Sequence, residues 1–247
     1  MLTVSDLTKD FGRLRIINSA GFEVKEDEIV ALVGPNGAGK TTLVNLISGH
    51  ILPTSGKIEF FGRDMTFASP YHRIKMGIAR NFQITNLFPD STVLDNLRIC
   101  LFSIYGKIKN GLLPANHYKE ITQEAARILA TFGISRKQNL LPGNLSEGDK
   151  KILDTAMAFA LKSRFLLLDE PTSGVATADK FKVMDTIVSA IRKQGMACMI
   201  IEHDMDIVSD YSDRVLVLSE GEIIAQGAPS DVMEQENVRE ILFGVRT

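Results

Sequence analysis

The 247-residue chain has no tryptophan, only two cysteines and four histidines, and no surplus of charge of either sign. Each scarcity removes a class of function. Cys100 and Cys198 lie far apart and lack metal-ligand spacing, so a zinc module is excluded and two reduced thiols fit a cytosolic protein. A net charge of −2 gives no electrostatic reason to expect nucleic acid as a partner. No apolar run reaches the ~18 residues that cross a bilayer. Met1 to Asp10 carries Asp6 and Asp10 where a secretory leader needs a basic start and an apolar stretch, so no leader is expected. A chain of this kind that works at a membrane is expected to dock onto another protein there.

What is present is alternation. Short apolar runs at Ile29–Val33, Lys57–Phe61, Phe165–Leu168, Ala197–Ile201, Arg214–Leu218 and Glu222–Ala225 read as strands. Helical patterns lie between several of them. Lys40–Ser48 stops at Gly49, and Asp179–Lys193 puts Phe181, Met184, Ile187, Val188 and Ile191 on one face before Gly195. This order predicts an α/β fold with a mostly parallel sheet. From about Thr85 to Leu161 the pattern changes. Thr92–Phe102, Asn116–Phe132 and Ser146–Leu161 all read as helices, with a loop around Lys109-Asn110-Gly111 and Pro114. On the second, Tyr118, Ile121, Ala125, Ile128, Leu129 and Phe132 form an apolar stripe. The expected layout is an α/β core over 1–84 and 162–247, with a helical subdomain inserted over 85–161.

The run from Gly34 through Pro35, Asn36, Gly37, Ala38, Gly39 and Lys40 to Thr41 matches G-x-x-x-x-G-K-[ST] and sits between a strand and a helix. That context is what the phosphate loop requires. Glycines let backbone N–H groups wrap around phosphates, and the helix N-terminus carrying Lys40, Thr41 and Thr42 adds its positive end. Lys40 would neutralise β/γ-phosphate charge and the Thr41 hydroxyl would ligate Mg²⁺. The apolar strand Phe165–Leu168 ends in Asp169 and Glu170. An acid at such a strand end holds Mg²⁺ in P-loop enzymes, which suits Asp169. Glu170, one residue on, is placed to polarise an attacking water. A solvated turn is the plainer explanation of an acidic pair, and the phosphate loop upstream argues against it.

Gln83 at the edge of the insert, Leu145-Ser146-Glu147-Gly148-Asp149 opening a helix, Ser173-Gly174 after the acidic strand, and Ile201-Glu202-His203-Asp204 after the next strand complete an ordered series. The series resembles the ATP-binding-cassette (ABC) family over essentially the whole chain. The resemblance implies a P-loop core with an antiparallel β subdomain and an inserted helical subdomain. It implies adenine stacking on Phe11, Mg²⁺ and partner sensing by Gln83, and a γ-phosphate switch at His203. Ser146 and Gly148 would contact the nucleotide of a second ATP-binding subunit. Taken singly these residues have plainer readings: Phe11 as core, Gln83 as surface, His203 as a capping or core residue. Ser146-x-x-Asp149 also reads as a capping box, and the two roles are compatible because a capped helix N-terminus is an anion site.

The sequence departs from the family pattern at three positions. Glu147 and Asp149 replace the third and fifth residues of Leu-Ser-Gly-Gly-Gln, adding two carboxylates near a phosphate site. Ala176 stands where the family has an aspartate, and Asp179 is expected to begin the following helix. Within the family the chain resembles ATPase subunits of importers for branched-chain amino acids and related amides. The features are Gly34–Gly49 followed by Ile51–Gly56, the run Ile78-Ala79-Arg80-Asn81-Phe82-Gln83, the long interval to the signature, and the terminal Val238–Gly244. Such a subunit works with ATP and Mg²⁺, polytopic permease subunits, a second ATPase (self or paralogue) and a solute-binding protein, on the inner face of the membrane. Urea import, lipopolysaccharide export, a non-transport assembly scaffold and a degenerate structural subunit stay open. The retained Lys40, Asp169, Glu170, Gln83 and His203 argue against the last.

Overall fold

A computed structural model describes residues 1–81, 87–106 and 118–244. In chain order they begin with β1 (Leu2–Phe11), β2 (Leu14–Val24), β3 (Ile29–Val33), α1 (Lys40–Ser48), β4 (Ser55–Phe60), β5 (Arg63–Asp64), α2 (Pro70–Met76) and β6 (Ile78–Arg80). The helices α3 (Val93–Ile104), α4 (Lys119–Thr131) and α5 (Glu147–Ala160) follow, then β7 (Phe165–Asp169) and α6 (Thr177–Lys193). The chain continues with β8 (Ala197–Ile201), α7 (Met205–Tyr211), β9 (Arg214–Ser219), β10 (Glu222–Gly227), α8 (Pro229–Met233) and α9 (Glu236–Phe243). Two compact units emerge, one of Met1–Arg73 with Gly195–Thr247 and one of Ile74–Gln194. Among the described residues no helix is long and apolar enough to cross a membrane.

In the first unit, β2-β1-β4-β5 form an antiparallel sheet, and β10-β9-β3-β8 run side by side in a second sheet. There β3 pairs in parallel with both β8 and β9, and only β10 is antiparallel. Every residue of β3 and β8 is buried, as a parallel strand covered on both faces requires. Ala31, Val33, Val215 and Val217 pack on one side against Val208, Val232 and Val238 from α7, α8 and α9. The helix α1 ends where the sequence says it should: Gly49 adopts φ 82, and its N–H donates to the carbonyls of Asn45 and Leu46. Arg73 finishes the same end. Its fully buried guanidinium donates to Leu46 O and Ile47 O (2.6 Å each), Thr66 O (3.0 Å) and Ala68 O (3.1 Å). Burial pulls its pKa down to about 10, which still leaves a cation at the negative end of the helix dipole.

The second unit pairs β6 with β7 in parallel and surrounds them with α3 to α6. The described residues of 85–161 fall inside this unit together with 74–81 and 162–194, which the expected layout gave to the core. The expected stripe of α4 is buried at Ile121, Ala125, Ile128, Leu129 and Phe132, with Tyr118 half-buried. Thr92 caps α3, its hydroxyl accepting from Asp95 N at 3.1 Å.

Four strands went unmarked by sequence periodicity. β1 and β2 carry register shifts, with Asp6 and Ser19 at positive φ, and these bulges break the period-2 pattern. β5 and β6 are two and three residues long. The face of α6 also needs correction: Phe181 is 39% exposed, and the buried set is Val183, Met184, Ile187, Ala190 and Ile191. The apolar sequence supports either register, and packing in the unit selects the second. α6 begins at Thr177 rather than at Asp179, which lies in its first turn. Residues 107–117, with the expected loop at 109–114, lie outside the described residues. Both thiols are protonated: burial pushes the half-buried Cys100 up to about 11, helped by the charge of Asp154, and lifts the fully buried Cys198 further.

Candidate functional site

In the first unit the loop 34–39 joins β3 to α1; Gly34 and Gly39 are there for space, and Gly37 for its positive φ of 83. A Cβ on Gly34 would lie 2.0 Å from Leu218 O of β9, and one on Gly39 2.8 Å from Ile17 Cδ1 and 3.0 Å from Ile16 O. A side chain at either position would push the loop off its neighbours. Gly39 occupies the N-cap of α1 in the left-handed region, so no side chain caps the helix and no acid stands in its first turn. The start of α1 therefore carries no side-chain acceptor of its own, which suits an anion. Asn36, Gly37 and Thr41 are exposed and Ala38 is buried. Lys40 is only 8% exposed, and its ammonium donates to Gly34 O at 2.6 Å and Pro35 O at 3.0 Å, which lays its charge along the loop.

Phe11 ends β1 at the two-residue turn into β2 and is 50% exposed, with Lys9 Nζ 4.9 Å from the ring centroid. It is a surface aromatic and the core alternative falls. His203 follows β8 and is exposed, while its backbone N–H donates to the buried carboxylate of Glu202 at 3.1 Å. Gln83 lies outside the described residues.

In the second unit Asp169 closes β7, buried at 6% exposure, with its Oδ2 2.7 Å from Arg80 Nη2. Its backbone N–H donates to Asn81 Oδ1 at 2.8 Å, and Asn81 N donates to Leu167 O at 3.0 Å. The carboxylate is thus fixed by the strand just before Gln83. Glu170 sits at φ 48, an unfavourable backbone for a residue with a Cβ, and its carbonyl accepts from Lys151 Nζ at 3.3 Å and Ser173 N at 3.1 Å. Ser146 caps α5, accepting from Asp149 N at 3.2 Å. The reciprocal half differs from a standard capping box: the Asp149 carboxylate accepts from the Ser146 hydroxyl at 2.6 Å rather than from its backbone. Gly148 has no room for a side chain, since its Cβ would lie 2.9 Å from Val183 Cγ2 of α6.

A family model for ABC transporters matches residues 17–173. The chain belongs to the ABC transporter family. It is 32% identical over 248 residues to the probable branched-chain amino acid transport ATP-binding protein LivG of Archaeoglobus fulgidus, covering 100% of this chain and 96% of that protein. The high-affinity branched-chain amino acid transport ATP-binding protein LivG of Escherichia coli is 31% identical over 250 residues, 99% of this chain and 98% of that one. The ribose import ATP-binding protein RbsA of a Chelativorans species is 34% identical, but the match spans only 44% of it against 94% of this chain. A solved nucleotide-free ATP-binding cassette from an ABC transporter superposes with a TM-score of 0.86 at 29% identity, 99% of each chain being covered. The chain is accordingly an ATP-hydrolysing subunit with the ABC fold.

Fit to nucleotide and metal can be judged on the residues themselves. The uncapped start of α1 and the tight glycine loop suit a polyphosphate. Among the described residues no cluster of three or more His, Cys, Asp or Glu could hold a metal alone. A Mg²⁺ ion would therefore draw on few protein oxygens and on phosphate, which is its habit in nucleotide enzymes. The Thr41 hydroxyl and the Asp169 carboxylate are oxygen donors of the right type. Arg80 and Lys137 are the residues sequence reasoning missed. An arginine in the buried strand run Ile78-Ala79-Arg80 did carry a signal, because a buried cation demands a partner.

The absent ABC aspartate leaves a trace. Ala176 is the N-cap of α6 and has no side chain to accept from the first turn. Ala176→Asp is expected to raise stability by about 1 kcal/mol, seen as a higher melting temperature. An unchanged or lower value would mean the cap is already satisfied otherwise.

Proposed function

We propose that the chain energises import of branched-chain amino acids or related small amides by binding and hydrolysing ATP with Mg²⁺ on the cytoplasmic face of the membrane. The observation carrying the solute class is full-length similarity to two LivG subunits named for branched-chain amino acid transport. Gly34, Asn36, Gly37, Ala38, Gly39, Lys40, Thr41 and Thr42 cradle the phosphates, and Phe11 supplies a face for adenine. Thr41, Asp169 and Gln83 would hold Mg²⁺, which would supply neutralisation of phosphate charge. Glu170 accepts the proton of the attacking water, Gln83 reports to the permease and His203 senses the γ-phosphate. Core segments 1–84 and 162–247 hold these groups, and the 85–161 subdomain presents Ser146 and Gly148 to the nucleotide of a second copy or paralogue. Polytopic permease subunits and a solute-binding protein complete the system.

A sugar-import reading draws on the similarity to RbsA, so the deciding measurement compares solutes. The chain co-purified with its membrane partner should show ATPase activity stimulated by leucine, isoleucine or valine together with the solute-binding protein. Stimulation by ribose or urea alone would replace the solute class and leave the ATPase reading in place. Glu170→Gln, which keeps size but cannot accept a proton, is expected to be monomeric without nucleotide and dimeric with ATP. Adding Ser146→Arg should return the monomer, as read by light scattering. A Glu170→Gln protein that stays monomeric at every salt concentration and with its partner's docking segment supplied contradicts the shared-site reading.

A further inference from the structure

The two extra carboxylates of the signature each have a lysine of their own. Glu147 lies 2.7 Å from Lys150, one turn along α5. Asp149 is held by Lys137, which comes from a different element, the short 3-10 turn Ser135–Lys137 after α4. The three groups Lys137, Asp149 and Ser146 form one line of hydrogen bonds: ammonium to carboxylate Oδ2, and Ser146 hydroxyl to the same Oδ2. They line a cavity of about 480 Å³ between the start of α5 and α6, together with Ala176, Lys182 and Thr186. Burial alone would raise the Asp149 carboxyl; the bonds from Lys137 and Ser146 outweigh it and hold the group below the usual range, so it is charged at neutral pH.

That geometry sets a problem and its solution. The Ser146 hydroxyl spends its hydrogen on Asp149. To donate to a phosphate it must turn that hydrogen outward, and Asp149 must then be satisfied by something else. Lys137 is that something. Without it the carboxylate would keep the hydroxyl and would stand unneutralised beside a polyanion.

We propose that Lys137 is a positioning residue for the signature, neutralising Asp149 so that an acid can occupy this turn while Ser146 and the α5 N-terminus engage the triphosphate of a second subunit. The inference rests on the proposed role of Ser146 at a partner's nucleotide. A bare carboxylate placed about 5 Å from a phosphate charge at an effective dielectric near 20 would cost roughly 300-fold in affinity, and solvent screening would reduce this to about tenfold.

The test uses the full chain carrying Glu170→Gln, titrated with ATP and followed by light scattering. Lys137→Met added to it should need about ten times more ATP for half-dimerisation. Asp149→Gln should need no more than the parent, and the double variant Lys137→Met, Asp149→Gln should return to within about twofold of Asp149→Gln alone. Fluorescent-nucleotide affinity of the monomer should be the same in all four proteins, which separates this role from general loss of structure. Two results overturn the inference while leaving the shared site intact: Lys137→Met dimerising like the parent, or the double variant remaining as poor as Lys137→Met. Failure of the parent to dimerise overturns both.

Discussion

Lys40→Ala should lower ATP affinity about a hundredfold, because a charge-assisted contact to phosphate is stronger than any neutral one the loop can offer in its place. Lys40 is also part of the loop's own structure. Its ammonium bonds the carbonyls of Gly34 and Pro35, so removal should also loosen the turn and lower the melting temperature slightly. The two effects separate in one experiment, a fluorescent-nucleotide titration run beside a melting curve. A large affinity loss with a small drop in melting temperature is expected. Affinity within twofold of the wild type would remove the phosphate-binding assignment, whatever the melting curve did.

Arg73→Met should be the most destabilising substitution away from the nucleotide loop. Four carbonyls accept from this one side chain; those of Leu46 and Ile47 near the end of α1 and of Thr66 are buried with it, and that of Ala68 is half-buried. Methionine fills similar volume but donates nothing. Leaving buried acceptors unmatched costs about 1–3 kcal/mol each, and partial relaxation brings the expected total to roughly 3 kcal/mol or more. For a chain of this size that corresponds to about 6–12 °C in melting temperature. Arg73→Lys keeps the charge at the helix end with fewer directed donors, so it should fall between the two. Near-wild-type stability in Arg73→Met would show that water or a rearranged 66–68 loop can satisfy α1 unaided.

What could be read from the sequence was whatever is encoded locally. The phosphate loop, the Gly49 stop of α1, the Ser146 cap, the fully apolar strands β3 and β8 and the apolar run that opens β7 all rest on neighbours within a few residues. Partnerships across long intervals were silent. Nothing in the sequence ties Arg80 to Asp169, 89 positions away, or names Lys137 as the cation that offsets Asp149. Lys150 stands one turn from Glu147 and is a local partner, but the departure at Asp149 looked like uncompensated charge, and only the fold supplies its counter-ion. The β1–β2 hairpin failed for a different reason: its bulges at Asp6 and Ser19 change which face the next residue occupies, so alternation resets inside each strand.

The protonated thiols have a practical side. A maleimide or methanethiosulfonate reagent attacks thiolate, and a group titrating near 11 presents about one part in ten thousand of it at neutral pH. Cys198, sealed in β8, presents less. The native chain can therefore carry a single introduced label, for instance a spin probe at the exposed position Gln194, with neither cysteine removed. Paramagnetic broadening between two such labels would then report association of two copies directly, in a background whose own sulfur atoms stay dark.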